Sequence, residues 1–143
     1  MRIHTTILAL AASALVAAAC GGSDSTAPDL SHVGAYDLEL IDGAPVPASI
    51  FSVPGYHLDV IAGQLTLNAN NTFVESITVR EIVDDVEGPI EAFNCLGSYQ
   101  RRGATLTMTV PATPICDAAT TTGRIDGNSV IVDYQGVEAV FRR

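Results

Sequence analysis

Few side chains in this sequence are of reactive types, and they are not spaced as a catalytic group. The 143 residues include three histidines, three cysteines, sixteen acidic residues and no lysine. A histidine acts as a general base only beside a positioned nucleophile, partner or metal. His57 is near Ser49 and Ser52 in sequence, but neither serine belongs to a nucleophile-elbow or Ser-x-x-Lys pattern. We therefore expect no enzymatic activity and no cofactor.

One cluster of acidic residues is a candidate for a cation site. Four carboxylates lie around the Gly88-Pro89 pair: Asp84, Asp85, Glu87 and Glu91. Calcium prefers oxygen ligands, but this order does not match an EF-hand loop, and charged hairpin tips are normally solvated. We predict a turn here and no metal.

The first twenty residues have the order of an export signal. Arg2 is followed by a stretch without charge over 7–19, and small residues precede Cys20. A basic start, a short apolar run and small residues at the cut describe a secretory signal peptide. Cys20 at the cut resembles the lipobox of bacterial lipoproteins, in which the new N-terminal cysteine carries lipid. The alternative is a plain secreted protein cut after an Ala-x-Ala site.

The lipobox resemblance implies where in the cell the protein is located. It implies that the signal peptide, 1–19, is removed and that lipid on Cys20 anchors the chain to the membrane of the cell envelope. Gly21 follows the cysteine where some inner-membrane lipoproteins have Asp, so we expect the outer membrane. The next residues, through 32, are small and polar, a composition that predicts a flexible tether. The folded domain is then expected over 33–143.

The two remaining cysteines predict a disulfide. Thiols beyond the inner membrane tend to pair, and the bridge would join Cys95 to Cys116. Neither cysteine has a second cysteine or a histidine at metal-site spacing, so a metal site lacks ligands.

The charge of the chain excludes one class of partner. The formal net charge is −9 with seven basic residues, and phosphate binding needs clustered cations. We therefore expect no nucleic acid partner. Acidity of this degree is typical of a solvated surface, or of a protein whose partner is cationic.

The folded part shows the two-residue period of β-strands. Leu106, Met108 and Val110, for example, alternate with threonines, which predicts strands with one buried and one wet face. Prolines make residues 43–54 irregular and favour an edge or loop there. Eight strands in meander order most simply close into an antiparallel up-and-down barrel, with a β-sandwich as the alternative. The predicted strands are 34–41, 57–68, 72–83, 90–100, 104–110, 119–126, 128–135 and 137–142.

Three short segments resemble small bacterial lipocalin-like lipoproteins. Gly34-Ala35-Tyr36 is similar to the Gly-x-Trp opening of lipocalins, with Tyr in place of Trp, and Gly97-Ser98-Tyr99 is similar to a Gly-x-Tyr hairpin of bacterial members. The chain ends on Phe141-Arg142-Arg143, and lipocalins often place an arginine late in the last strand against the opening aromatic ring. The resemblance implies a cation–π contact between Tyr36 and Arg142, and a calyx for a small apolar ligand.

The interior of such a barrel is either filled by side chains or holds one small ligand, and we favour a mostly filled core. If there is a cavity, we expect a lining of aromatic residues and one methionine: Tyr36, Phe73, Phe93, Tyr99, Met108, Tyr134 and Phe141. The function we expect is that of a monomeric, lipid-anchored envelope protein that binds a small apolar ligand. The alternatives are a protein-binding module, such as an inhibitor of a cationic hydrolase, and a structural lipoprotein with a filled barrel.

Overall fold

The computed structural model describes residues 29–143, which form ten antiparallel β-strands. The signal peptide predicted over 1–19, the lipidation predicted at Cys20 and the tether up to residue 28 lie outside the described residues. No helix of membrane-spanning length and hydropathy occurs within 29–143. In chain order the strands are β1 (Gly34–Ile41), β2 (Ala44–Pro45), β3 (Ala48–Val53), β4 (Tyr56–Leu67), β5 (Thr72–Val83), β6 (Val86–Arg102), β7 (Thr105–Val110), β8 (Ala119–Asp126), β9 (Ser129–Tyr134) and β10 (Val137–Arg142).

Eight of these strands close into a ring. From β4 to β10 each strand pairs with the next along the chain, and β1 pairs with both β10 and β4. The predicted eight-stranded up-and-down barrel is therefore confirmed. The proline-rich stretch supplies the two strands outside the ring, because β2 pairs with β1 and β3 pairs with β4 as edge strands.

The hairpin turns match the twist of the strands that they join. Asp84 and Asp85 both have positive φ, 49° and 64°, and link the directly paired Val83 and Val86. Two-residue turns of this kind favour residues that tolerate positive φ, such as Asp, Asn and Gly. The two aspartates of the acidic cluster thus form the β5–β6 turn, as predicted.

Strand β6 begins four residues earlier than the sequence predicts. Proline cannot donate to a ladder and is usually confined to edges and bulges, which is why Pro89 suggests a boundary. The structure accommodates Pro89 at an irregularity in the pairing, between Arg80↔Ile90 and Ile82↔Glu87. The strand therefore continues through the proline and reaches 17 residues.

Strands β4, β5 and β6 are longer than the ring that they help to close. The last β1–β4 pair joins Asp37 to Gln64, and the last β6–β7 pair joins Ser98 to Thr109. Beyond these pairs, the strands continue as a four-stranded extension that we call the flap. The flap consists of β3 with residues 56–60 of β4, 78–83 of β5 and 86–94 of β6. It forms one side of the open end of the barrel.

The predicted disulfide is confirmed and lies where β7 leaves β6. Cys95 and Cys116 are joined with their Cα atoms 5.9 Å apart. Cys116 belongs to the loop between β7 and β8, and Cys95 lies three residues before the last β6–β7 pair. The bridge therefore fastens this proline-containing loop to the edge of β6.

Side chains fill only one half of the barrel. The half nearest Asp29, which we call the closed end, contains the largest fully buried side chains. Alternate positions of the strands supply them. They are Tyr36, Leu65, Leu67, Phe73, Leu106, Met108, Val130, Val132 and Phe141. The expectation of a mostly filled core therefore holds for the closed end and not for the opposite, open end.

Candidate functional site

The open end of the barrel contains a cavity of about 280 Å³. Six strands contribute to its wall, and the wall is apolar apart from one carboxyl and one phenol. The lining residues are Leu38, Ile41, Ile50, Val60, Glu75, Ile77, Tyr134, Val137, Ala139 and Phe141. A concave apolar pocket with a few convergent polar groups is the usual form of a small-molecule site.

The two polar groups of the wall belong together. Phe73, Glu75 and Ile77 lie on the same, inward face of β5. Because successive side chains of a strand alternate between its two faces, the glutamate points into the barrel. Tyr134 comes from β9, four strands away in the ring of eight in either direction. Its hydroxyl donates to Oε1 of Glu75 at 2.5 Å, and this hydrogen bond crosses the interior.

Burial controls the ionisation of this pair. Loss of solvation raises the pKa of Glu75, and the hydrogen bond from Tyr134 opposes the rise only in part. Burial also raises the pKa of Tyr134, and the neighbouring carboxylate adds to this rise. The phenol is therefore a neutral donor, and the carboxyl retains its proton to a higher pH than an exposed glutamate would.

Replacing Glu75 with glutamine should increase stability at pH 8 but not at pH 4. A carboxyl whose folded pKa is raised contributes its full stability below its unfolded pKa of about 4.3, and this contribution is lost as the pH rises through the folded value. An amide still accepts from Tyr134 but carries no charge. We expect a gain of roughly 1 kcal/mol at pH 8, a usual size for one substitution, and convergence of the two proteins near pH 4. Urea unfolding across this range is the measurement.

Glu138→Gln is the matched control, because Glu138 is exposed and on the outer face of β10. It removes the same charge near the same end of the barrel. We expect it to change the free energy of unfolding by less than about 0.5 kcal/mol at any pH. A Glu75→Gln protein less stable than wild type at pH 8 would contradict the role given to burial.

A second pocket of about 230 Å³ lies on the inner face of the flap. Val79 lines it and follows Ile77 of the main cavity on the same face of β5, so the two pockets lie end to end along one strand. Its wall also contains the carboxylates of Glu81 and Glu91. Tyr56 donates its hydroxyl to Glu81 at 2.9 Å, and this contact raises the pKa of Tyr56.

The two ends of the barrel differ in charge. Of the arginines in 29–143, Arg80 alone lies at the open end, paired with Glu87. The other five are at the closed end or on strand segments leading to it. The acidic residues on the turns, strand ends and flap of the open end are Asp42, Asp59, Glu81, Asp84, Asp85, Glu87, Glu91, Asp117, Asp133 and Glu138. The mouth of the cavity therefore has a negative electrostatic potential.

A hydrogen-bonded network seals the closed end. Arg101 lies 2.9 Å from Nδ1 of His32, and Nε2 of the same ring lies 3.0 Å from the Tyr99 hydroxyl. Because arginine only donates, Nδ1 must accept and Nε2–H must donate, which fixes a neutral imidazole. The Tyr99 hydroxyl then donates to the carbonyl of Asn68 at 2.7 Å. Burial and the Arg101 charge both lower the pKa of His32, in agreement with this assignment.

Residues 29–32, which we assigned to the tether, are held against this end. Asp29 forms a salt bridge with Arg101 at 2.8 Å, and Tyr36 donates to the carbonyl of His32 at 2.7 Å. Hydrogen bonds from Ser31, with a further contribution from Arg101, lower the pKa of Asp29. Arg143 donates to the carbonyl of Ser31. The described chain thus enters the barrel at its closed end.

The cation–π contact with Tyr36 is made by Arg143 and not by Arg142. The Arg143 guanidinium lies 4.6 Å from the centre of the Tyr36 ring, while Arg142 forms a salt bridge with Glu39 at 2.8 Å. The reason is register: Leu38 pairs with Phe141 and Asp37 with Arg142, and paired residues share a face of the sheet. Arg142 therefore points outward with Asp37, and Arg143 returns to the side of Tyr36.

The seven residues expected to line a cavity divide into three groups. Tyr134 and Phe141 line the main cavity, and Phe93 lines the flap pocket. The other four, Tyr36, Phe73, Tyr99 and Met108, are at most 3% exposed and pack in the core. The sequence reasoning missed Glu75, although an acid between Phe73 and Ile77 on the inward face of a strand was a usable signal.

A polar depression of about 530 Å³ at the closed end is a weaker candidate site. Its wall includes Asp29, His32 and Arg101, which bind one another in the network above. These groups are already satisfied, so they offer little to a ligand. Within residues 29–143 no three His, Cys, Asp or Glu side chains group closely enough to hold a metal ion.

Fold and site together define a closed eight-stranded antiparallel barrel with an apolar cavity at one end. No protein-family model matches the chain, and no curated protein matches its sequence.

Proposed function

We propose that this protein binds one small, largely apolar molecule in the open end of its barrel. The observation that carries the proposal is the cavity of about 280 Å³ with its apolar wall. Ligand pockets of proteins usually span roughly 300–1,000 Å³, so the occupant is a small molecule rather than a drug-sized one. Apolar surface removed from water in such a pocket supplies the main driving force for binding.

The exposed apolar residues around the mouth support the same function. Ile50 belongs to the cavity wall and is 42% exposed, so the cavity communicates with solvent beside β3. Phe51 and Tyr56 form an edge contact on the flap with ring centres 5.9 Å apart, and Phe51 is also exposed. Such residues give an apolar molecule a surface along which to enter.

The location we propose is the bacterial cell envelope, with Cys20 as the lipid anchor. The described chain begins at Asp29, on the closed end, so an anchor on that side would leave the mouth directed away from the membrane. We also propose a lipocalin-like relationship. The closed barrel and the packing of Arg143 on Tyr36 are the features that support it.

Filling the cavity should abolish ligand binding without unfolding the barrel. Ala139 lines the cavity, and Ala139→Leu adds three carbon atoms there. We expect wild type to enhance the fluorescence of an uncharged hydrophobic dye such as N-phenyl-1-naphthylamine, or to retain a co-purified small molecule in native mass spectrometry. The Leu variant should lose at least about 90% of this signal, a tenfold loss of affinity being about 1.4 kcal/mol.

Ala35→Leu is the matched control, because Ala35 is exposed on the outer face of β1. It should bind as wild type does. A wild-type barrel that is empty when purified and binds neither dye nor fatty acids nor alkyl amines would refute the proposed function.

A protein-binding role is the second candidate, and the charge of the open end favours it. Ten acidic residues lie at the open end and on the flap, together with exposed apolar side chains, among them Phe51, Val53 and Val86. A basic partner would be steered toward such a surface. The same variant separates the two roles, since Ala139→Leu would leave a protein contact on the rim unchanged.

A further inference from the structure

Glu75 is the one carboxylate in the wall of the cavity, and apolar residues surround it. Its partners in register, Leu65 on β4 and Cys95 on β6, carry no charge, because Cys95 is in the disulfide. From the opposite wall the one titratable group facing it is Tyr134. No arginine or histidine of 29–143 therefore neutralises this carboxylate.

The hydrogen-bonding capacity of Glu75 exceeds what the barrel supplies. An ionised carboxylate accepts at about four lone-pair positions, and the described side chains donate once, from Tyr134. A protein that only needed a stable core would be better served by an apolar residue here, because removing a carboxylate from water without a neutralising cation is destabilising. The arrangement is suited to a ligand that brings the missing donors and the missing positive charge.

The surroundings of the cavity select for the same sign of charge. Glu81 and Glu91 line the flap pocket next to it, and Arg80, at this end, is engaged by Glu87. A cation approaching the mouth meets a negative potential throughout, whereas an anion is repelled. Fatty acid carboxylates are therefore poor candidates for the occupant.

Accepting the proposed function, we propose that the ligand is a small cationic amphiphile, an alkyl or aryl ammonium whose apolar part fills the cavity while its nitrogen donates to Glu75. Charge-assisted hydrogen bonds are about twice as strong as neutral ones. When Glu75 enters the reaction protonated, its carboxyl O–H bond breaks. The proton passes to the buffer, and the ammonium keeps all of its own hydrogens. Binding of the cation is thus coupled to release of up to one proton per site.

The test uses three probes with the same tail and different heads: octylammonium, octanol and octanoate. Isothermal titration calorimetry of the folded protein should give the affinity order octylammonium, octanol, octanoate, with about tenfold or more between the first two. Repeating the octylammonium titration at mildly acidic pH in two buffers of different ionisation enthalpy should reveal proton release. Octanol should release none. This measurement needs no variant and is unaffected if a substitution impairs folding.

Two variants locate the effect. Glu75→Gln should lower octylammonium affinity by about tenfold, to that of octanol in wild type. Glu138→Gln removes the same charge from the outer face near the mouth and should change either affinity by less than about twofold, since exposed charges are well screened.

The outcomes separate this inference from the proposed function. Binding of octanol or octanoate as tight as that of octylammonium, with no proton release, would overturn the cationic preference and leave the apolar site standing. An octylammonium preference that survives Glu75→Gln would also overturn it, since the rim would then be its source. No binding of any probe would refute the proposed function itself.

Discussion

Replacing Cys95 and Cys116 together with alanine should lower the free energy of unfolding by about 3 kcal/mol. The bridge closes a loop of 21 residues, and in the chain-entropy model the cross-link reduces the entropy of the unfolded chain by this amount. In a domain of this size the loss corresponds to a decrease of roughly 10 °C in the melting temperature. Urea and thermal unfolding of the double variant are the measurements.

The position of the bridge predicts where the effect should concentrate. It attaches the β7–β8 loop to β6 beyond the last β6–β7 pair, where β6 has a ladder partner on one side only. Amide hydrogen exchange should therefore become faster on the loop and on residues 86–97 than on the closed end. Wild type reduced with dithiothreitol is the control and should match the double variant. A loss below about 1 kcal/mol would show that the folded barrel constrains the loop without the bridge.

The fold could be predicted because the alternation within strands and the turn residues between them both indicate a meander that closes into a barrel. Alternation placed β5, β8 and β10 within a residue of their observed ends, and glycine or aspartate turns placed the hairpins. The start of β6 could not be predicted, because a proline usually indicates the end of a strand. The irregular pairing that accommodates Pro89 is visible only in the structure. The predicted contact between Arg142 and Tyr36 was wrong for a related reason. Which residues of the last strand face inward depends on the register of that strand with the first.

The cavity was harder to predict than the fold because no single segment contains it. Six strands line it, and whether their side chains meet depends on the closure of the ring and on the unequal strand lengths. We expected Phe73 and Met108 in the wall of a cavity, but both pack in the closed end. Glu75 was not singled out because an acid in a strand usually faces solvent. It faces the interior because side chains alternate along β5 and Glu75 lies two residues after the inward Phe73.

Replacing Gly97 with alanine should destabilise the barrel by about 3 kcal/mol, the upper part of the usual range for overpacking. Gly97 pairs with Phe73 across β5 and β6, and the aromatic ring occupies the space that a side chain would take. A Cβ at this position would lie 2.5 Å from the Phe73 ring and 2.4 Å from the carbonyl oxygen of Thr109. The second contact is with backbone held by the β6–β7 ladder, so a change of rotamer cannot relieve it. Urea unfolding measures the loss.

Gly123→Ala is the matched control, since Gly123 likewise lies on a strand of the ring and is buried. A Cβ there would make ordinary contacts, 3.5 Å from the Ile131 carbonyl oxygen and from Cβ of Leu106. We expect a neutral or stabilising change of up to about 1 kcal/mol, because alanine restricts the unfolded chain. Equal effects at the two glycines would mean that Phe73 does not fill the space over Gly97. The opposite result, a large loss at Gly97 alone, would show that this contact fixes Phe73 in the filled half of the barrel, directly before Glu75 on the inner face of β5.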